Sequence, residues 1–173
     1  MVQDIRLITK REFNSFKKSW LCQDLQGNEP GLLQALADRL EEERNDVFGL
    51  FRNDTLVGVI GVTEENDLLE MGEVYTLIGI LLVHPKHRHD GIGRRLVDFV
   101  KSTAKTNWIV ASPVDEKARL FFLSCGFVHL ETRNVENEYF LAFCLRPAGC
   151  MEDAALAKTE VGDLQSTGGF YVH

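Results

Sequence analysis

Apolar positions along this chain fall into two patterns, an unbroken run and a three-to-four-residue repeat. Residues 74–83 are almost continuously apolar, which is typical of a strand that is buried on both faces of a sheet. Further along, apolar residues separated by charged ones mark one face of a helix: Ile92, Leu96, Val97, Val100 and Ala104. The pattern therefore predicts a central strand that is followed by an amphipathic helix.

The same patterns assign the remaining elements. Thr9, followed three residues later by Glu12, forms a capping box at the start of a first helix. Asn53 and Asp54 form the turn of a hairpin, and Gly126 closes the last helix. The elements alternate as β-α-α-β-β-β-α-β-α-β-β, with strands near residues 5–8, 47–51, 56–62, 74–83, 108–112, 128–132 and 139–145 and helices between them.

Length and composition indicate one compact domain with a short extension. A chain of 173 residues with 45% hydrophobic content can bury a substantial core, and we expect residues 1–146 to form that domain. Residues 147–173 form a C-terminal tail with four carboxylates and one lysine. The tail is either a mobile appendage or a segment that docks through its terminal aromatic residues, because exposed aromatic rings gain free energy on burial.

Cysteine spacing and hydropathy argue against a disulfide-rich, a metal-binding or a membrane protein. The four cysteines form no Cys-x-x-Cys pair and no metal-ligand spacing with histidine, so we expect reduced thiols in a cytoplasmic protein. No apolar run approaches the ~18 residues needed to span a bilayer, so no membrane association is expected. No metal site is predicted either, although His84, His87 and His89 lie close together in the sequence. Their extended, proline-containing segment favours surface or phosphate-adjacent histidines over a metal cluster.

Between the central strand and its helix the chain reads Arg88-His89-Asp90-Gly91-Ile92-Gly93-Arg94. A glycine-containing turn that enters a helix directs several backbone N–H groups at one point, which is a geometry that binds phosphate. Gly91 and Gly93 allow close approach, while Arg88 and Arg94 supply positive charge. We expect Asp90 to cap the helix. Structural punctuation is the alternative for an isolated Gly-x-Gly turn.

Charge is distributed unevenly around this turn. The net charge is −7, yet residues 84–105 carry six Lys or Arg against two Asp. Residues 37–74 carry eleven carboxylates against three arginines. The basic segment suits an anionic cofactor, whereas the acidic one disfavours nucleic acid and mildly favours a cationic substrate such as an amine. A solvated acidic helix face accounts equally well for much of that count.

Two segments carry a family resemblance. The first is the strand ending Val83-His84-Pro85 with its Arg-x-x-Gly-x-Gly turn and helix, and the second is the helix from Asp115 through Ala118 and Phe122 to Gly126-Phe127. In this order the chain resembles the GNAT acyltransferase superfamily, the GCN5-related N-acetyltransferases. The resemblance implies an α/β (α+β) GNAT fold, with a mixed, mainly antiparallel central sheet flanked by helices. It also implies acetyl-CoA as the acyl donor.

The resemblance assigns roles to individual residues. It places the diphosphate of acetyl-CoA on residues 88–94, and the pantetheine and acyl carbonyl on main-chain groups of Leu81, Leu82 and Val83. Asp115 occupies a position near the pantetheine arm at which the family often has Asn. Phe122 stands where the family commonly has the tyrosine that protonates the departing thiolate, and phenylalanine cannot donate a proton.

The general base is less obvious, because Gly79 stands near the middle of the central strand in place of a carboxylate. Glu73 and Tyr75, on the alternation that includes Gly79 and Val83, are the candidates. A bulge in the strand would change the face that they serve.

Two functions from different classes remain open on the sequence. The first is an N-acetyltransferase that acts on a primary amine of a small molecule or a protein. The second is a catalytically weak acyl-CoA-binding domain with a regulatory or partner-binding role. A dinucleotide site is disfavoured because the turn lacks the third glycine of that fingerprint. Edge strands near residue 140 could pair across a two-fold axis and form a homodimer.

Overall fold

The computed structural model describes residues 3–21, 29–41, 46–66, 74–130 and 140–145. These residues form strands β1 (Gln3–Leu7), β2 (Val47–Arg52), β3 (Thr55–Glu65), β4 (Tyr75–Val83), β5 (Trp108–Ala111), β6 (Val128–Leu130) and β7 (Phe140–Cys144). The helices are α1 (Lys10–Leu21), α2 (Glu29–Glu41), α3 (Ile92–Thr103) and α4 (Glu116–Ser124), with a short 3-10 helix at Pro85–His87. The predicted order of elements is confirmed. The predicted tail, residues 147–173, lies outside the described residues.

The seven strands form one sheet in the order β1-β2-β3-β4-β5-β7-β6. Every neighbouring pair is antiparallel except β4 and β5, which run parallel. The prediction of a central strand is confirmed, since β4 lies in the middle of this order. The prediction of an edge strand near residue 140 is wrong, because β7 lies between β5 and β6 and both of its sides are paired.

Helices cover both faces of the sheet. Apolar residues of α3 and α4 pack with Leu50, Ile60 and Ile78 on one face. Apolar residues of α1 and α2 pack with Val59, Ile80 and Leu82 on the other face. A smaller cluster contains Tyr75, Trp108, Val110, Phe140 and Ala142. No helix among the described residues has both the length and the apolar character needed to cross a membrane.

The two cysteines within the described residues have different environments. Cys125 is a buried free thiol, and burial raises its pKa. Cys144 is disulfide-bonded. The expectation of reduced thiols throughout is therefore wrong at Cys144.

The capping box at the start of α1 is confirmed. The Glu12 backbone N–H donates to Thr9 Oγ1 at 3.3 Å, and the Thr9 backbone N–H donates to Glu12 Oε2 at 2.8 Å. The Arg6 guanidinium donates to Glu12 Oε1 at 2.6 Å, so strand β1 is joined to the first turn of α1. This hydrogen bond is the main reason why the pKa of Glu12 is lowered from 4.5 to about 2.

We expect Glu12→Ala to lower the free energy of unfolding at neutral pH by about 1 kcal/mol, as for the loss of a helix cap. Because the folded-state pKa of Glu12 is depressed, its contribution is present above its ordinary pKa and is lost as the pH falls toward the folded value. Thermal unfolding from about pH 6 down to about pH 3 should therefore show the two melting temperatures converging. Glu41→Ala, which removes an exposed partner of Lys10, is the control and should change little.

Candidate functional site

The central strand extends beyond its parallel neighbour. β4 pairs with β5 only through Thr76, Leu77 and Ile78, which lie opposite Ile109–Ala111. From Gly79 to Val83 it has a partner in β3 alone among the described residues. About 13 Å of strand therefore turns one row of backbone N–H and C=O groups toward a gap. Such groups require partners, so the gap suits a ligand that can hydrogen-bond to main chain.

A β-bulge lies where the gap begins. In the β3–β4 register Gly61 lies opposite Ile80 while Val62 lies opposite Ile78, which leaves Gly79 as the extra residue. Side chains after the bulge consequently exchange faces relative to a regular alternation. Ile80 and Leu82 pack with α1 and α2, whereas Leu81 and Val83 pack with α3.

The bulge corrects one prediction. A regular strand places Tyr75, Gly79 and Val83 on the same face, but Val83 lies on the α3 face. Tyr75 belongs to the separate cluster with Trp108 and Val110 and is only 1% exposed. Glu73, the other candidate for the general base, lies outside the described residues.

The chain leaves β4 through a tight turn. His84 is buried, its backbone N–H donates to the Val57 carbonyl at 2.9 Å, and its Nδ1 accepts from the Lys86 N–H at 3.3 Å. Burial is also the main cause of its lowered pKa. His89 and Gly91 adopt positive φ values of 68° and 74°, the left-handed region that glycine enters without strain.

Helix α3 begins at this turn without a side-chain cap. Its N-cap residue is Gly91, and the first intrahelical bond runs from the Arg95 N–H to the Gly91 carbonyl at 3.1 Å. The N–H groups of Ile92, Gly93 and Arg94 therefore precede the helical ladder and point outward from the helix start. Together with the helix dipole they make this position suitable for an anion.

The expectation that Asp90 caps α3 is wrong. Its carboxylate Oδ2 accepts from Arg52 Nη1 at 2.7 Å, and Arg52 Nη2 lies 3.4 Å from the Asp90 carbonyl oxygen. His87 Nδ1 lies 3.8 Å from the same carboxylate. Arg52 comes from the end of β2, so a residue distant in sequence offsets the negative charge of the turn.

The two arginines of the predicted turn make different contacts. Arg88 Nε donates to the Val83 carbonyl at 3.3 Å, which holds its side chain between the end of β4 and the turn. Arg94 Nη2 donates to the Ser124 carbonyl at 2.8 Å and so joins α3 to the end of α4. Arg88 is therefore held where the gap beside β4 meets the turn. Arg94 uses part of its guanidinium to bind the end of α4.

Helix α4 packs beside the turn. The Phe121 ring lies against Gly93, where a methyl group would lie 3.2 Å from the ring and 3.7 Å from Val83 Cγ2. A side chain at position 93 would therefore crowd the Phe121 ring, and glycine keeps the main chain accessible. Asp115 is the N-cap of α4, and its Oδ1 accepts from the Ala118 N–H at 2.7 Å.

Phe122 is buried at 6% exposure. Its ring centroid lies 5.3 Å from those of Phe121 and Phe127. The position at which the resemblance expects a proton-donating tyrosine thus carries an apolar ring that packs in an aromatic cluster. Gly126, with a φ of 87°, ends the helix as predicted.

The three neighbouring histidines do not form a metal-binding group. His84 is buried, whereas His89 is exposed. Among the described residues there is no cluster of three or more His, Cys, Asp or Glu side chains that could hold a metal ion.

Two arginines near the gap were missed by sequence analysis. Arg52 reaches the turn, and Arg39 of α2 reaches the bulge, where it also binds Asp46 at 3.1 Å. Neither arginine belongs to a recognisable motif. Both lie in residues 37–74, whose excess of carboxylates favoured a cationic ligand. The sequence signal for Arg39 is the pair of glycines at positions 61 and 79, which leave room for its guanidinium above the sheet.

Comparison with known proteins identifies the family and the fold. Residues 12–127 match the acetyltransferase (GNAT) family, so the chain belongs to that family. Among solved structures, the Bacillus subtilis N-acetyltransferase YlbP in complex with coenzyme A is similar with a TM-score of 0.59 and 21% identity, covering 83% of this chain and 97% of that one. A mutant of the AtaT toxin bound to the C-terminus of the antitoxin AtaR has a TM-score of 0.63 and 18% identity, covering 92% and 99%.

A third similar structure is the NatC complex bound to Gag peptide and coenzyme A, with a TM-score of 0.59 and 17% identity. The match covers 84% of this chain and 100% of that chain. At these identities the likenesses establish the fold, and they agree with the family assignment. The chain is therefore a member of the acetyltransferase (GNAT) family.

Proposed function

We propose that this protein transfers the acetyl group of acetyl-CoA to a primary amine of a small molecule or a protein. The observation that carries the proposal is the continuous path from the open edge of β4 to the uncapped start of α3. A row of main-chain hydrogen-bonding groups is thereby joined to an anion site, as a pantetheine and diphosphate require. Family membership and the coenzyme A complexes of similar proteins support the same cofactor.

Each part of the path has a proposed role. Main-chain groups of Leu81, Leu82 and Val83 hold the pantetheine and orient the acyl carbonyl. Residues 88–94 hold the diphosphate, with Arg88 contributing charge and Arg52 offsetting the carboxylate of Asp90. Acetyl-CoA supplies the acyl group as a thioester, and Asp115 supports the pantetheine side by fixing the start of α4.

Transfer to an amine also requires the movement of protons. Attack on the thioester requires an unprotonated amine, and departure of the thiolate is easier when an acid donates a proton to it. Glu73 and Tyr75 stay the candidates for the base, although the burial of Tyr75 suits packing better than proton transfer. Phe122 can only exclude water, so we propose that the thiolate leaves without help from this position.

The second candidate function is an acyl-CoA-binding domain with little catalysis. It is favoured by Phe122 in the aromatic cluster and by Gly79 at the bulge, since neither can move a proton. In that case acetyl-CoA would serve as a signal that alters binding of a partner.

Titration with acetyl-CoA followed by a thiol-release screen tests the proposal. The amine panel should contain amino acids, polyamines, aminoglycosides and lysine peptides. Acetyl-CoA binding with amine-dependent release of thiol would support the transferase. Binding without release for any amine would favour the second function, and absence of binding would exclude both.

Arg88→Glu should abolish binding of coenzyme A while the protein stays folded. The variant places a negative charge where the diphosphate is proposed to lie. Isothermal calorimetry measures the loss, and circular dichroism checks the fold. Lys105→Glu is the matched control, since it makes the same change in charge beyond the opposite end of α3, about 18 Å along the helix. Equal affinity of the Arg88→Glu protein and wild type would contradict the phosphate assignment.

Arg52→Gln should weaken binding of coenzyme A about 10-fold, because it leaves the Asp90 carboxylate without its cation beside the diphosphate. The double variant Arg52→Gln/Asp90→Asn should recover most of that loss. Calorimetry on the four proteins of this cycle gives the coupling between the two side chains. A double variant as weak as the single one would mean that Arg52 touches the cofactor itself.

Phe122→Tyr should raise the rate of acetyl transfer, by up to about 100-fold if proton donation to the thiolate limits turnover. The measurement is kcat for thiol release at saturating amine. Phe121→Tyr adds a hydroxyl to the adjacent ring and is the control, for which no gain is expected. A flat or lower kcat for Phe122→Tyr would show that departure of the thiolate is not limiting.

A further inference from the structure

Arg39 lies across the sheet at the bulge of β4. A methyl group at position 79 would lie 3.0 Å from Arg39 Nη2, and one at position 61 would lie 3.6 Å from Nη1. The two glycines, on β4 and β3, therefore form a slot that admits the guanidinium to the surface of the sheet. A side chain at position 79 would crowd the guanidinium at this position.

Asp46 fixes the orientation of this guanidinium. Its Oδ2 accepts from Arg39 Nη1 at 3.1 Å, and both side chains are less than one-fifth exposed. The Asp46 backbone carbonyl accepts from the Val62 N–H at 2.9 Å, which anchors the residue at the start of β2. Within the described part of the chain Nη2 has no hydrogen-bond partner, so one edge of the guanidinium stays available.

The available edge lies where the gap opens. Gly79 directly follows Ile78, the last residue of β4 that pairs with β5, and it is exposed although it belongs to the middle strand of the sheet. The proposed cofactor turn begins α3, which packs on the other face. An acceptor is therefore expected to approach at the exposed Gly79, on the face that carries Arg39 and not α3.

We infer that Arg39 binds a carboxylate of the acceptor, which is a small amine of amino-acid type. A guanidinium recognises carboxylates through paired N–H groups, and its charge favours the unprotonated form of a nearby amine. Gly79 lies two residues, about 7 Å, from Leu81, where the proposed acyl carbonyl begins, so a small acceptor held by Arg39 can reach the acyl group. The inference rests on the proposed transfer to an amine.

The test compares each L-amino acid with its amide, which keeps the amine and removes the negative charge. Binding is measured by calorimetry on protein saturated with coenzyme A, and turnover by thiol release. We expect wild type to prefer at least one acid over its amide. Arg39→Gln should weaken binding of that acid about 10- to 100-fold and leave the amide unaffected, as for the loss of a charge-assisted hydrogen bond.

Three further proteins make the result specific. Arg39→Lys should recover part of the preference, and Arg11→Gln, on the exposed side of α1, should leave it intact. If Arg39→Gln fails to fold because Asp46 loses its partner, Arg39→Gln/Asp46→Asn removes both charges and replaces it. Melting temperatures show that each variant compared is folded.

The outcomes separate this inference from the proposed function. Acid-specific binding that depends on Arg39 but gives no turnover would support a carboxylate site at Arg39 and overturn the transferase. Turnover of amines without any preference for a carboxylate would overturn the inference alone. An equal loss for acid and amide in Arg39→Gln, or no binding of any acid, would also overturn it and leave Arg39 as a structural partner of Asp46.

Discussion

β4 separates from β5 after Ile78, and every part of the candidate site depends on that separation. A central strand would normally satisfy its backbone groups on both sides, and here residues 79–83 do so on one side only among the described strands. The bulge at Gly79 coincides with the separation, because an extra residue bends the strand and interrupts the ladder. The sheet thereby presents a main-chain surface in its interior that has the hydrogen-bonding groups a ligand needs.

The charges around the gap form pairs that come from different elements. Arg52 of β2 binds Asp90 of the turn, and Arg39 of α2 binds Asp46 at the start of β2. In both pairs one carboxylate orients a guanidinium that has more donors than the carboxylate can accept. An excess of acidic residues in the sequence is therefore compatible with a site that presents positive charge to its ligands.

The aromatic packing of α4 is compatible with both an acetyltransferase and an acyl-CoA-binding domain. Phe122 contacts Phe121 and Phe127, and the Phe121 ring in turn contacts Gly93 at the start of α3. This cluster holds α3 and α4 together beside the gap, and an apolar ring serves that purpose as well as a tyrosine ring. Helix α4 thus keeps its packing role, while position 122 lacks the tyrosine hydroxyl that could donate a proton.

Local patterns in the sequence determined the elements, their order and the position of the turn. The apolar run of β4, the amphipathic face of α3, the capping box at Thr9 and Glu12, and the glycine at position 126 each act over a few residues, so each could be read directly. The motif at residues 88–94 also indicated where α3 begins, although the partner of Asp90 could not be foreseen.

Tertiary structure decided which side chains meet at the site. The bulge at Gly79 depends on the register between β3 and β4, and it moved Val83 to the face opposite Tyr75. Arg39 and Arg52 reach the gap and the turn only because α2 and the end of β2 pack there. Such contacts join residues that are distant in the chain, and no local pattern of hydrophobic and polar positions encodes them, because periodicity specifies a face but not the neighbour that covers it.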